Sequence, residues 1–265
     1  MDVDASVSNI LSTAVPLAEQ FSAKLVGLGA ADVPVPLVGT EDAAMAIEVW
    51  QQSRDHLALK RFKQMRVEFE RLTDQYRKTE WREELVPSTT AIISAARSND
   101  LVVMTSSSSV GLIDNYRHAD PASVVLKCGR PVLLLKNRFE RIDFHRVVVA
   151  WKDTREARRA VADAVPLLAK AHEVTIVSSV PYMDDAAQES IRDVKTLLDA
   201  HNIDAHTELL KYDDEGSTLL EFIDQSAPDL VVAGAYGHSR LREWVFGGVT
   251  RTLLGKHELS LLLSN

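Results

Sequence analysis

The chain has 265 residues, of which 46% are hydrophobic and 26% charged, a balance typical of a globular protein long enough for two domains. Its formal net charge of −8 argues against nucleic acid or an anionic membrane as a partner. The single cysteine, Cys128, excludes an internal disulfide and a cysteine zinc site. Because so sparse a use of cysteine is typical of a reducing compartment, we expect a cytoplasmic protein.

The first half opens with almost no strand, because the chain starts at Met1-Asp2-Val3-Asp4. A long helix is then predicted from about Glu41 to Tyr76, where apolar residues recur near heptad spacing. We interpret this stripe as packing on the helix's own sheet, and contact with the other half or with another subunit is the alternative. The stripe consists of Trp50, Leu57, Phe62, Met65, Phe69 and Leu72.

An internal repeat organises the whole chain. The segment AVPL at residue 14 recurs at 164, DLVV at 100 recurs at 229, and GRPVLLL at 129 is echoed by the segment at 257. The matches keep the same order, so we predict two homologous domains, 1–138 and 144–265. The charged segment between them, NRFERIDF, is the predicted junction.

In the second half, short apolar runs alternate with segments of helical spacing. The first helix is expected to begin at a cap, Asp153 or Thr154, and to be kinked or shortened by Pro166. Strands are predicted at Val147–Trp151, Val174–Val180, Ala205–Leu210, Leu230–Ala233 and Leu259–Leu263, and later helices at Asp184–His201, Ser217–Gln225 and Val249–Leu254. Because most strands are apolar on both faces, we predict an α/β protein with two tandem doubly wound parallel-sheet domains.

Four of the chain's 11 glycines lie in one stretch, GAYGHSRLREWVFGGVT, from Gly234 to Thr250. The stretch follows a predicted strand, and ligands of doubly wound sheets bind at the carboxyl ends of strands. Glycines let a ligand approach the main chain, and the free amides of a helix that starts at Gly248 would favour an anion. We interpret the stretch as a cradle for phosphates, to which Thr250 adds a hydroxyl donor. The spacing fits neither a Rossmann fingerprint nor a Walker A loop.

The spacing resembles that of the universal stress protein family, which carries G-x2-G-x9-G, then Ser or Thr, Val, and Ser or Thr. It differs at Gly248, where a hydroxyl residue is expected. The resemblance implies a role in stress response and the fold that this family shares with adenine nucleotide alpha hydrolases. It also implies ATP or AMP as the ligand, with Mg²⁺ only alongside the nucleotide. The matching residues are Gly234, Gly237, Gly247, Val249 and Thr250.

The resemblance also implies a nucleoside site at the ends of the first two strands of the second half. Ala150 ends the first strand, and the position of the family's Asp falls on Lys152, with Asp153 as a neighbouring substitute. The adenine contact falls near Ser179, and His238 lies inside the glycine loop. Lys152 has no acceptor for a ribose hydroxyl. It would instead supply charge to a phosphate, or be a solvated lysine.

The first half matches the family less well. Asp4 takes the position of the family's Asp, but the loop from Thr105 to Gly111 lacks the first pair of glycines. We interpret this half as a degenerate copy kept for structure. In tandem members the two halves commonly pack like the subunits of a dimer, so the resemblance implies an intramolecular pseudo-dimer or a homodimer.

Two functions remain open at this stage. The first is an adenine-nucleotide-binding stress-response module, with no catalytic residue and at most slow ATP hydrolysis. The second is a scaffold or interaction protein that has lost nucleotide binding, in which the long helix serves a partner. The eight histidines are scattered without metal-ligand spacing, so no metal site is predicted.

Overall fold

The computed structural model describes residues 1–36, 43–105, 114–135, 144–211, 215–235 and 259–265. Within these ranges the chain forms two compact units. Residues 1–99 and 114–128 belong to the first unit, whereas 100–105, 129–135 and 144–265 belong to the second. The helix predicted at Val249–Leu254 lies outside the described residues.

The first unit alternates helices with a two-stranded parallel sheet of β1 and β2. The predicted long helix is divided by a π-helical turn at His56–Phe62. The elements are α1 (Val7–Gln20), β1 (Leu25–Ala30), α2 (Ala43–Asp55), the π-helical turn, α3 (Lys63–Leu72), β2 (Thr79–Glu84), α4 (Ser88–Ala95), a 3₁₀ turn (Ala96–Ser98) and α5 (Pro121–Lys127).

The apolar stripe of the long helix forms the core of the first unit from Leu57 onward. Its large side chains pack with the N-terminal segment and α1, and Phe69 lies 5.3 Å from the Trp81 ring of β2, centroid to centroid. This packing supports the interpretation that the stripe covers its own sheet. By contrast, α2 has no buried residue. The buried members of this core are Val3, Val7, Leu11, Ala31, Leu57, Phe62, Met65 and Phe69.

The second unit is built on a seven-stranded sheet in the order β3-β4-β9-β8-β5-β6-β7. All neighbouring strands are parallel except β4 and β9. The strands are β3 (Val102–Thr105), β4 (Val132–Leu135), β5 (Arg146–Trp151), β6 (Glu173–Val180), β7 (His206–Lys211), β8 (Leu230–Gly234) and β9 (Leu261–Ser264), and the helices are α6 (Arg155–Leu168), α7 (Asp185–Ala200) and α8 (Glu215–Ser226).

The strand order confirms the predicted doubly wound α/β class. From β5 the chain runs outward through β6 and β7, and then crosses back to β8 and β9 on the other side of β5. Thr154 caps α6 by accepting a hydrogen bond from the Ala157 amide at 3.2 Å, as one of the two predicted caps. Pro166 lies inside α6, which ends two residues later at Leu168.

The strands of the first half fall into two pairs, β1–β2 and β3–β4, in different sheets. In the second unit, β5 lies between β6 and β8 and joins the two sides of the sheet. Within its described residues, the first half has no strand equivalent to β5, because residues 1–6 are irregular. The strand that would join the two pairs is therefore missing from the described part of this half.

The strands that the sequence repeat makes equivalent, β4 and β9, pair with each other. Their pairing is antiparallel, with Val132 opposite Leu263 and Leu134 opposite Leu261. Antiparallel pairing of two equivalent strands is the pattern that a local two-fold axis produces. Both strands are buried along their length.

Candidate functional site

The carboxyl ends of β5 and β8 form the topological switch point of the sheet. Ala150 pairs with Ala233, and Gly234 ends β8 one residue later. The chain leaves β5 toward β6 and leaves β8 toward β9. Ligands of doubly wound sheets bind at such a position. The structure thus places the predicted residues Ala150, Lys152, Asp153 and Gly234 at one edge of the sheet. Ser179 lies near the end of the adjacent β6.

Close packing against α6 requires a glycine at position 234. A Cβ atom at this position would lie 2.4 Å from the Ala157 amide nitrogen and 2.6 Å from the Glu156 carbonyl carbon. The group that approaches the main chain here is therefore the backbone of α6. The side of Gly234 that a Cβ would occupy is filled by α6. The predicted contact between the Gly234 main chain and a phosphate stays a prediction.

The close approach to Gly234 brings the first turn of α6 to the carboxyl end of β8. A helix N-terminus attracts negative charge, and α6 supplies its own in Glu156. The Glu156 side chain is only 2% exposed, and Arg155 donates to its carboxylate at 3.0 Å. The positive end of α6 is thus already matched by a carboxylate of the chain.

Asp153, the predicted substitute for the family's Asp, is engaged at the surface. Its carboxylate accepts hydrogen bonds from Arg158, and the two side chains are 56% and 64% exposed. Such exposed ion pairs contribute little and are easily exchanged for another partner. Lys152 is also exposed, and its carbonyl accepts a hydrogen bond from the Thr154 amide at 2.6 Å.

Ser179 carries a feature that the sequence did not predict. Its Oγ atom is buried and has no hydrogen-bond partner among the described residues. A buried hydroxyl without a partner destabilises the folded chain, and such groups call for an explanation in function or in ordered solvent. The sequence predicted only that a contact with adenine falls near this residue.

The sequence pattern did not predict a role for Trp151, although this residue ends β5 beside the predicted site. Its side chain is 7% exposed, and the indole nitrogen donates to Ser190 Oγ on α7 at 3.0 Å. The end of β5 is therefore fixed against α7. A tryptophan at the end of an apolar run is a visible pattern, but its partner is 39 residues away.

The remaining predicted residues are in the glycine loop beyond the end of β8. They fall in the ranges 236–258, so they lie outside the described residues and stay predictions. They are Gly237, His238, Gly247, Gly248, Val249 and Thr250.

In the first unit, the residue at the family's Asp position is already paired. Arg117 donates to both Asp4 oxygens, at 2.9 and 2.5 Å. The hydrogen bond from Arg117 holds the pKa of Asp4 below its usual value. The Asp4 carboxylate is thus already paired with Arg117 of the same chain.

The fold and the switch point define a doubly wound α/β protein of the kind that binds small ligands at strand ends. Residues 143–264 match the family described as the universal stress protein family. The second half of the chain is therefore a domain of this family.

Solved structures extend the likeness of the fold to the first half. A universal stress protein from Archaeoglobus fulgidus has a TM-score of 0.67 at 14% identity, covering 98% of this chain and 90% of its own. A functionally unknown protein from Pseudomonas aeruginosa has a TM-score of 0.57 at 16% identity, covering 93% and 94%. At these identities the likeness shows the fold alone.

No curated protein matches the chain in sequence. Among the helices that the structure describes, none combines the length and the apolar character needed to cross a membrane.

Proposed function

We propose that the second unit binds ATP or a related adenine nucleotide at the carboxyl ends of β5 and β8, as part of a stress response. The observation that carries the proposal is the switch point, where the carboxyl ends of β5 and β8 lie side by side. The Gly234-to-Thr250 spacing in the sequence supports a phosphate cradle after β8. The buried Ser179 hydroxyl has no partner among the described residues and adds a polar group that a nucleoside would satisfy.

Calorimetric titration of the full chain with ATP and Mg²⁺ tests this proposal. We expect saturable heat at one nucleotide per chain and a rise in melting temperature, because a ligand that binds only the folded state stabilises it. Absence of both heat and thermal shift at millimolar nucleotide would remove the proposal.

The substitution Lys152→Asp tests the nucleoside end of the site. It restores the acceptor that the family places there, and a hydrogen bond to a charged group contributes about 1.5–3 kcal/mol. We therefore expect ATP to bind roughly 10- to 100-fold more tightly. The matched control is Asp4→Asn at the corresponding position of the first unit, which should leave the affinity unchanged. Weaker binding in Lys152→Asp would instead assign Lys152 to a phosphate.

A scaffold function remains the second candidate, and α2 is the observation that favours it. This helix buries none of its residues, and Met45, Ile47 and Val49 are 73%, 47% and 57% exposed. Met45 and Val49 are four residues apart and share one face of the helix. An exposed apolar face of this kind is typical of a binding surface. Affinity capture with the wild-type chain and with Met45→Lys/Val49→Lys distinguishes the two candidates. A specific partner lost in the double variant, together with no bound nucleotide, would favour the scaffold.

A further inference from the structure

Three metal-ligating side chains meet in the first unit, away from the candidate nucleotide site. They are Asp2, Asp4 and His118, and each offers a ligand atom within 4.8 Å of the others. The carboxylates lie in the segment before α1, and His118 lies in the segment before α5. His118 is more than 110 residues from the two aspartates in the sequence, so sequence spacing could not predict this cluster.

The imidazole of His118 lies between the two carboxylates. Its Nδ1 atom is 3.1 Å from Asp2 Oδ2, and its Nε2 atom is 3.5 Å from Asp4 Oδ2. His118 and Asp2 are largely shielded, with side chains 20% and 22% exposed, whereas Asp4 is 44% exposed. One carboxylate therefore faces each ring nitrogen.

Both segments are held in place by other contacts. Arg61 donates to the carbonyl oxygens of Val3 and Ala5 in the N-terminal segment. The Ser88 hydroxyl donates to the Arg117 carbonyl at 2.8 Å, which fixes the chain next to His118. The three side chains are thus presented by an ordered backbone.

This arrangement matches the way in which proteins hold a metal through histidine. A ligating imidazole usually donates its other ring N–H to a carboxylate, which fixes the ring and raises its basicity. Here Asp4 is placed to accept from Nε2, while Nδ1 and Asp2 Oδ2 have the separation of two neighbouring ligands of one ion. The Arg117 guanidinium keeps Asp4 charged and oriented.

We propose that Asp2 Oδ2 and His118 Nδ1 bind one divalent transition metal ion of the zinc class, with Asp4 as a positioning residue and water as the remaining ligands. An imidazole with a carboxylate suits zinc, whereas Mg²⁺ and Ca²⁺ prefer sites built wholly of oxygen.

Zinc titration by calorimetry tests the site on the full chain, without a polyhistidine tag and after treatment with EDTA. We expect one zinc ion per chain at micromolar concentration and no heat with Mg²⁺. His118→Ala and Asp2→Asn should abolish this binding. Asp4→Asn should weaken it by roughly 10- to 100-fold, the usual effect of losing the carboxylate behind a histidine ligand.

The matched control is a pair of histidines in the second unit, His145 and His172. Their rings are exposed and stacked, with centroids 4.4 Å apart. Zinc binding should be unchanged in His145→Asn/His172→Asn. If that double variant removes the zinc heat while His118→Ala retains it, the proposal is overturned.

A second measurement needs no variant and guards against loss of folding. In the wild-type chain, ¹⁵N NMR of the histidine rings should show the Nδ1 resonance of His118 moving on addition of zinc. A His118 ring that does not respond at saturating zinc contradicts the proposal.

Discussion

Gly234 connects the strand that ends at the candidate site to the helix that begins there. Because a Cβ would lie 2.4 Å from the Ala157 nitrogen, Gly234→Ala must push α6 away from β8. Overpacking of this kind costs about 1–3 kcal/mol. We expect a loss of unfolding free energy in that range, measured by urea denaturation.

Gly129→Asn provides the control for this substitution. Gly129 has a φ of +64°, and nothing lies within 4 Å of its Cβ position. Asparagine tolerates this backbone conformation, so the control should lose far less stability. Equal losses in the two variants would contradict the packing role of Gly234.

Ser179 gives a prediction of opposite sign. Its buried hydroxyl has no partner among the described residues. Ser179→Ala therefore removes a polar group that loses its water on folding and gains no hydrogen bond from the described residues. We expect the nucleotide-free chain to gain about 1 kcal/mol, and ATP to bind more weakly than to the wild type. Melting curves with and without ATP measure both effects. A variant that is less stable without nucleotide would show that the hydroxyl has a partner in the folded chain.

At the residue scale, local chemistry was predictable and long-range partners were not. Thr154 was a predicted cap because the cap lies next to the helix that it serves. The contact of Trp151 with Ser190, the pairing of Asp4 with Arg117 and the burial of the Ser179 hydroxyl all depend on how distant segments pack.

At the scale of elements, the β1–β2 pair carries a charge cluster at one end. Hydrogen bonds from Arg82 and Lys24 lower the pKa of Glu80 to about 2 from its usual 4.5. A depressed pKa in the folded state stabilises the chain above the unfolded pKa, and this stabilisation disappears as the pH falls through the folded pKa. The loss is therefore expected between pH 4.5 and about 2.

Glu80→Gln should make the melting temperature less dependent on pH across this window. The groups lie at the surface, so the effect is small and should shrink further at high salt. Melting curves of both chains from pH 2 to pH 6 provide the measurement. Identical pH profiles would show that the carboxylate contributes nothing to folding.

The elements of the second unit were predictable because the hydrophobic periodicity of each is visible in its own sequence. The run Val147-Val148-Val149 is buried on both faces, and the helix after it keeps one apolar face. The division of the first-half strands between two sheets was not predictable. It depends on the absence of the strand that would join the two pairs, and the sequence repeat alone does not show how that absence changes the pairing. The exposure of α2 was equally hidden, since the apolar spacing continues through it.

At the scale of the whole molecule, β4 covers the edge of β9. Residues Leu261, Leu262 and Leu263 are fully buried or nearly so, and β4 pairs with them along one side. A fragment of residues 144–265 would expose this edge, and uncovered apolar edges pair with other chains. We expect the fragment to self-associate more strongly than the full chain in light-scattering measurements. A folded fragment that stays monomeric at every concentration would contradict the covering role of β4.

The central claim is that an adenine nucleotide binds at the carboxyl ends of β5 and β8. Photo-crosslinking with an azido-ATP analogue, followed by mass spectrometry of the labelled peptides, tests this claim most directly. We predict a label that excess ATP prevents, in peptides containing Ala150 to Thr154, Ser179 or Gly234. A label confined to the first unit, or one that ATP does not reduce, would contradict it.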